Sequence, residues 1–172
     1  MSRAFVKEPD GDQAEADLPE RPQSEHPNYI TPAGLVRLRE TIAALRGQVR
    51  ALEEKDEDLS ARSELQAKRS DLRYLEKREQ CAIPVDAVQH NGDEIHFGAT
   101  VELADLEDRR YRFTIVGEDE TDVENGLISW VSPLGAELLK AHVGDEITWR
   151  RPDSNLELEV LSASYDPAQS QH

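Results

Sequence analysis

Glu53, Glu54, Asp56, Glu57 and Asp58 place five carboxylates in six positions, broken only by Lys55, and Glu64 follows six residues later. Carboxylate oxygens are what a hard cation such as magnesium takes as ligands. Magnesium also demands near-octahedral geometry and sheds its water reluctantly, so a few exposed carboxylates do not hold it unaided. No metal is therefore expected to be stably bound by the chain alone. The plainer readings of the same residues are a solvated turn or an electrostatic contact with a basic surface.

The sequence on either side says what must position these acids. Leu35, Leu38, Ile42, Leu45, Val49 and Leu52 recur at alternating steps of three and four, and Leu65, Leu72, Leu75 and Ala82 resume the seam beyond the acids. A heptad seam buries itself against another heptad seam. Two such arms around a short polar break predict an antiparallel helical hairpin with acid at its tip; pairing between molecules is the alternative. Threonine is a good N-cap and proline suits the first helical position, so Thr31-Pro32 predicts the start of the first arm. From Pro32 to Lys55 that arm has 24 residues, or roughly 36 Å at ~1.5 Å per residue. Gly34 and Gly47 each weaken the helix by up to ~1 kcal/mol relative to alanine. Lys68 and Glu79 fall on seam positions, so the second arm is expected to pack less well than the first. Ile83-Pro84 is expected to end it, because a residue before proline is pushed out of helical geometry.

From Val85 the period changes to two. Glu94–Phe97, Thr100–Leu103, Arg110–Val116, Leu127–Val131 and Glu146–Arg150 are strand candidates, and Leu156, Leu158 and Val160 alternate with Glu157 and Glu159 as on a half-solvated strand. A short helix is expected over Pro133–Ala141, capped by Ser132 and stopped by His142-Val-Gly144-Asp145. The fold class is therefore α+β: a coiled-coil hairpin, then a small antiparallel sheet with one helix. Residues 1–28 read as a disordered acidic tail, 29–84 as the hairpin, 85–166 as the sheet domain and 167–172 as a frayed end.

Charge limits the partners. Residues 1–30 hold 3 basic and 7 acidic groups, residues 31–83 hold 11 and 10, and residues 84–172 hold 6 and 19, which accounts for the net −16. Lysine and arginine on phosphate supply most non-specific nucleic-acid affinity. The C-terminal half would be repelled by nucleic acid, so no sequence-specific binding is expected and a protein with a basic surface fits better. No apolar run is long enough to cross a membrane, nor does Met1–Asp10 resemble a signal peptide, so a cytoplasmic chain is expected. Cys81 is the sole cysteine and reads as a packing residue. The five histidines show no ligand spacing. The acidic stretch Glu118–Glu124 reads as a solvated turn.

Several stretches, in one order, resemble the bacterial Gre transcription factors, GreA and GreB. Tyr29-Ile-Thr-Pro-Ala-Gly-Leu35 is similar to the start of their first helix. Phe97-Gly-Ala-Thr-Val-Glu-Leu103, Arg112-Phe-Thr-Ile-Val-Gly-Glu-Asp-Glu120, Ile128-Ser-Trp-Val-Ser-Pro133 and Gly135-Ala-Glu-Leu-Leu-Lys-Ala-His-Val-Gly-Asp145 resemble the GreB-type C-terminal domain, followed by Leu158-Glu-Val-Leu161 and Tyr165. The resemblance implies an FKBP-like C-terminal domain without isomerase activity that docks on RNA polymerase near Ser132, Pro133, Leu134 and Leu138. It implies a coiled coil inserted into the polymerase's secondary channel, where tip acids help the polymerase hold a catalytic magnesium and cleave backtracked RNA. The chain itself is then not an enzyme, has no cofactor of its own and is expected to be a monomer.

The tip departs from the family pattern. Cleavage-stimulating members look like Gly-Asp-x-x-Glu-Asn-Ala-Glu/Asp-Tyr there, whereas the best match is Asp58-Leu-Ser-Ala-Arg-Ser-Glu-Leu65. Asp58 matches the aspartate and Glu64 the later acid, but Ala61 stands for the glutamate and Arg62 for the asparagine. Each arm also looks about one heptad short, which keeps the seam in register and shortens the prong by roughly 10 Å. The resemblance thus leaves two outcomes open, a factor that stimulates cleavage and a channel occupant that does not, as short-coil relatives such as Rnk are. A prolyl isomerase on the C-terminal half is a third class, disfavoured by a domain poor in the aromatics that would line an apolar pocket.

Overall fold

The computed structural model describes residues 21–54, 59–86 and 93–165. Two long helices form an antiparallel hairpin: α1 (Pro32–Glu53) and α2 (Leu59–Gln80), each of 22 residues. Each spans about 33 Å at ~1.5 Å per residue. Thr31 is extended and its hydroxyl accepts from the Gly34 amide, so the threonine cap and the proline behind it act as expected. Leu38, Ile42, Leu45 and Val49 of α1 are buried, against Leu65 alone among the described seam residues of α2. Lys68 and Glu79 on the seam account for that difference: a charged head cannot follow its stem into the seam without losing water. Arg39–Glu79, Arg46–Glu76 and Arg69–Glu53 bridge the flanks at 2.8, 2.7 and 2.8 Å and fix the antiparallel register. All three arginine side chains are at least two-fifths exposed, so each pair contributes about 0–1 kcal/mol.

Both ends of the hairpin differ from expectation. The first arm stops at Glu53 with Glu54 as its cap, and Lys55 lies outside the described residues. The second stops at Gln80, ahead of Ile83. Ala82 leaves the helical seam and opens the strand β2 (Ala82–Pro84), which runs parallel to β1 (Asn28–Ile30) with Tyr29 opposite Ile83. The cause is Pro84: it disfavours helix at Ile83 and favours extended backbone there. The Val85 amide then donates to the Ile30 carbonyl at 2.9 Å, closing the foot of the hairpin.

The remaining described strands form one sheet, in the order β5-β4-β3-β7-β6: β3 (Thr100–Asp105), β4 (Arg110–Val116), β5 (Leu127–Ser129), β6 (Glu146–Arg150) and β7 (Asn155–Ser164). Its pairings are antiparallel except β4 with β5, which is parallel. The purely antiparallel sheet expected from period two is corrected there, since period two says nothing of strand direction. Glu94–Phe97 forms no strand; Glu94 makes one isolated bridge to His142. α3 (Pro133–Leu138) begins at its Ser132 cap as expected and ends three residues earlier than Ala141. It lies on the sheet and buries Leu134 and Leu138 with Val101, Leu103, Ile115, Leu158 and Val160.

The β3–β4 turn is held by one acid. The Asp105 carboxylate accepts from the Glu107 and Arg109 amides, from the Arg109 guanidinium at 2.7 Å and from the Tyr111 hydroxyl. Burial alone would raise this carboxyl, but those donors outweigh burial and hold it at about 2 against an ordinary 3.8. A carboxyl depressed in the folded state adds stability above its unfolded value and loses it as pH falls through the folded value. Unfolding midpoints should therefore decline between about pH 4 and pH 2. Asp105→Asn should be less stable at neutral pH and lack this part of the acid decline; an unchanged slope in urea titrations at both ends of the window would refute it.

Candidate functional site

At the far end of the hairpin, the acids Asp56, Glu57 and Asp58 lie outside the described residues. Glu64 is exposed on the second turn of α2. Glu53 is drawn sideways into its pair with Arg69. Ala61 is half-buried and continues the seam in steps of four and three through Leu65, Lys68, Leu72 and Leu75. A glutamate there would face α1 and not the tip. Arg62, one step round the helix, is exposed.

The foot of the hairpin holds a feature the sequence reading missed. The stretch Glu118–Glu124 was expected to be a solvated turn, but its first three residues form a 3-10 turn wedged between hairpin and sheet. The Glu120 side chain is 2% exposed and faces the start of α1. It accepts from the Thr31 amide at 2.9 Å, from the Thr31 hydroxyl and from the Gly117 amide at 3.1 Å, with Arg37 3.5 Å away. Thr31 thus caps α1 with one lone pair and ties it to the sheet domain with its proton. Gly34 makes room: a Cβ on it would lie 2.0 Å from Glu120 Oε1.

Arg78 completes the clamp from α2. It is 3% exposed. Its Nε lies 2.9 and 2.8 Å from the two Asp119 oxygens, and its Nη2 donates to Asn28 Oδ1 at 2.5 Å. Asn28 returns a bond from Nδ2 to the Arg78 carbonyl. Buried arginine suits this place because its planar fork reaches several acceptors at once. Tyr29, between Asn28 and Ile30, sets its ring edge-on to Phe97 and tilted against Trp130 of the sheet domain. Both helices and β1 are therefore fastened to the sheet, and the clamp fixes the direction in which the hairpin points. The one signal available beforehand was Gly34: a glycine in the first turn of a helix is unfavourable unless something must approach closely.

The four docking candidates part company. Ser132 caps α3, accepting from the Gly135 amide and donating to the Ser129 carbonyl at 2.6 Å. Pro133 is exposed, whereas Leu134 and Leu138 are 4% and 0% exposed and belong to the core. The first two can offer surface to a partner; the two leucines hold that surface from beneath. His96 and His142 flank Glu94, with nitrogens 3.5 and 3.8 Å from its oxygens. Among the described residues, no cluster of three or more histidine, cysteine or acidic side chains could hold a metal ion. Cys81 is exposed rather than packed. None of the described helices is long and apolar enough to cross a membrane.

The family model "Transcription elongation factor, GreA/GreB, C-term" matches residues 89–165. Transcription elongation factor GreB of Neisseria meningitidis serogroup A is 33% identical over 157 residues, covering 83% of this chain and 96% of that protein. Transcription elongation factor GreA of Thermodesulfovibrio yellowstonii is 31% identical over 152 residues, covering 80% and 96%. Among solved structures, GreA factor homolog 1 of Thermus thermophilus aligns over 81% of this chain and 99% of its own, at 22% identity and a TM-score of 0.38.

Proposed function

The chain belongs to the GreA/GreB family of transcription elongation factors, and from that premise we propose that it binds RNA polymerase and inserts its hairpin into the secondary channel. The observation that supports this reading best is the hairpin itself. Two 22-residue helices are clamped at one end to the sheet domain, and the acidic stretch joins them at the other. Ser132 and Pro133 at the start of α3 are the proposed docking edge, held in shape by Leu134 and Leu138.

Hydrolysis of RNA in this reading is the polymerase's own chemistry. Asp58, with Asp56, Glu57 and Glu64, would lend carboxylate oxygens to a magnesium ion that the polymerase holds. The chain's part is to bring those oxygens to one place and keep them there, which is the task of a stiff prong on a fixed base.

A second reading has its own support. Ala61 lies in the seam where the family's cleaving members carry glutamate, and Arg62 adds positive charge beside it. The hairpin would then fill the channel without promoting cleavage. One experiment separates the two. Purified protein is added to a stalled, backtracked elongation complex and RNA length is followed. Shortened RNA that becomes intact again with Asp58→Ala supports the first reading. Intact RNA, with a cleaving Gre factor displaced, supports the second. Failure to bind polymerase at all would sink both.

A further inference from the structure

β4 is paired on both sides only in its second half. β3 lies along it from Arg110 to Thr114, whereas β5 joins its other side at Thr114, Ile115 and Val116. The backbone groups of successive residues in a strand point alternately to its two sides. The Thr114 amide donates toward β5, to the Gly126 carbonyl, and the Ile115 amide toward β3, to the Ala99 carbonyl. The amides and carbonyls of Arg110 and Arg112 therefore face the side that β5 leaves open. Among the described residues they meet no hydrogen-bond partner there. Gly126 keeps the edge bare at its upper end: a Cβ on it would lie 2.7 Å from the Arg112 carbonyl oxygen. A hollow of about 470 Å³ runs beside the edge, between residues 111–114 and residues 123–127.

The surroundings of this edge are unusual in two respects. Leu106, in the turn that leads into β4, and Val123, in the 3-10 turn Val123–Asn125, are 91% and 66% exposed, more than any other large apolar residue described. Arg110 and Arg112 are exposed and make no ion pair among the described residues. Glu102, opposite Arg112 on β3, and Glu124, which lines the hollow, pair with neither. Sheet edges are commonly blunted by charge, and two arginines alone would fit that purpose. A hollow alongside and two bare apolar side chains do not fit it. They fit an edge that receives another strand.

We propose that the open edge of β4 accepts an extended, acidic segment of a partner protein, which pairs with Arg110 and Arg112 as an added strand. Side chains opposite one another on neighbouring strands interact. The segment therefore carries acids opposite the two arginines and an apolar residue between them, opposite Tyr111. A second copy of this chain is disfavoured, because two such edges in antiparallel pairing set arginine against arginine, and like charges placed opposite each other destabilise. Arg110 is about 20 Å along β4 from Val116 at ~3.3 Å per residue, and the Trp130 amide bonds to Val116 just ahead of Ser132. A partner at Ser132 and Pro133 would leave the edge open.

The probe is a short capped peptide of alternating glutamate and valine, added to the full chain and followed by amide NMR. The Arg110 and Arg112 amides should move most and exchange with solvent more slowly, while the Tyr111 and Phe113 amides, turned to β3, should move little. N-methylation of the peptide at its glutamates removes the donors that face the edge and should weaken binding about tenfold or more. The Arg110→Gln, Arg112→Gln variant keeps the backbone and should weaken the parent peptide by about the same factor. A peptide with lysine for glutamate should not bind. Arg110 and Arg112 amides protected from exchange before any peptide is added would show the edge already covered and overturn the proposal. So would shifts centred elsewhere, equal binding of the N-methylated peptide, or no binding. Sedimentation as a dimer with these amides protected would assign the edge to a second copy and overturn it as well.

Discussion

Replacing Arg78 with methionine is expected to destabilise the folded chain by about 3–5 kcal/mol, the usual cost of breaking a buried ion pair from one side. Methionine fills much of the volume, so the loss measures charge and hydrogen bonding more than packing. Two Asp119 oxygens and Asn28 Oδ1 would lose their donors. Glu118, whose Oε2 has no hydrogen bond and lies 3.7 Å from the Arg78 Nη2, would lose its neighbouring cation. Glu118 and Asp119 would then face each other partly buried, at 25% and 13% side-chain exposure. The control is Arg39→Met. Arg39 pairs with Glu79 at the same 2.8 Å, but its side chain is 61% exposed. Water already screens that pair, and its loss should cost about 0–1 kcal/mol. Urea unfolding of both variants decides the matter: equal midpoints would mean that Arg78 is no clamp. Adding Asp119→Asn to Arg78→Met should restore part of the loss, because it removes one of the stranded charges.

Particular residues show which features could be read beforehand. The hairpin was legible because Leu38, Ile42, Leu45 and Val49 repeat at a period that calls for a second seam, the same chain supplies one beyond the acids, and Thr31-Pro32 marks the start. The longer strands were legible where alternation ran on, as in Arg110–Val116. β1 and β2 have three residues each, too short for a period to register. The parallel seat of β5 depends on where the chain returns after Asn125, and composition does not encode it. The clamp was missed for a different reason. Glu118-Asp-Glu120 reads as a solvated turn because acids are usually solvated, and the cation that pairs with Asp119 stands 41 positions earlier. Local sequence carries no mark of such a partner. Leu134 and Leu138 entered the docking edge through the resemblance, which does not say which side chains of a two-turn helix face the sheet; both are buried.

The two glycines of α1 should respond to alanine in opposite directions. Gly47→Ala meets no atom within 4 Å of the new methyl, so it should stabilise the chain by up to ~1 kcal/mol through helix propensity alone. Gly34→Ala gains the same propensity but puts its methyl 2.0 Å from Oε1, 2.1 Å from Cδ and 2.6 Å from Cγ of Glu120. Because the whole end of the side chain is in the way, rotating the carboxylate does not relieve the clash. Glu120 must leave its seat, and the Thr31 amide, the Thr31 hydroxyl and the Gly117 amide lose a charged acceptor. Hydrogen bonds to charged groups are worth about 1.5–3 kcal/mol each. Water recovers part of that, so a net loss of about 2–4 kcal/mol is expected. Midpoints that rise for both variants would mean that Glu120 relocates freely and the hairpin is not fixed by it. The difference also bears on function in the polymerase reading. A tilt of about 10° at the foot carries the end of a ~33 Å arm through about 6 Å, several times the tolerance of a metal–carboxylate contact. Gly34→Ala should therefore weaken the effect on a backtracked complex while polymerase binding through the sheet domain persists, and Gly47→Ala should leave both intact. Equal activity of the two variants would dissociate the clamp from the reach of the tip.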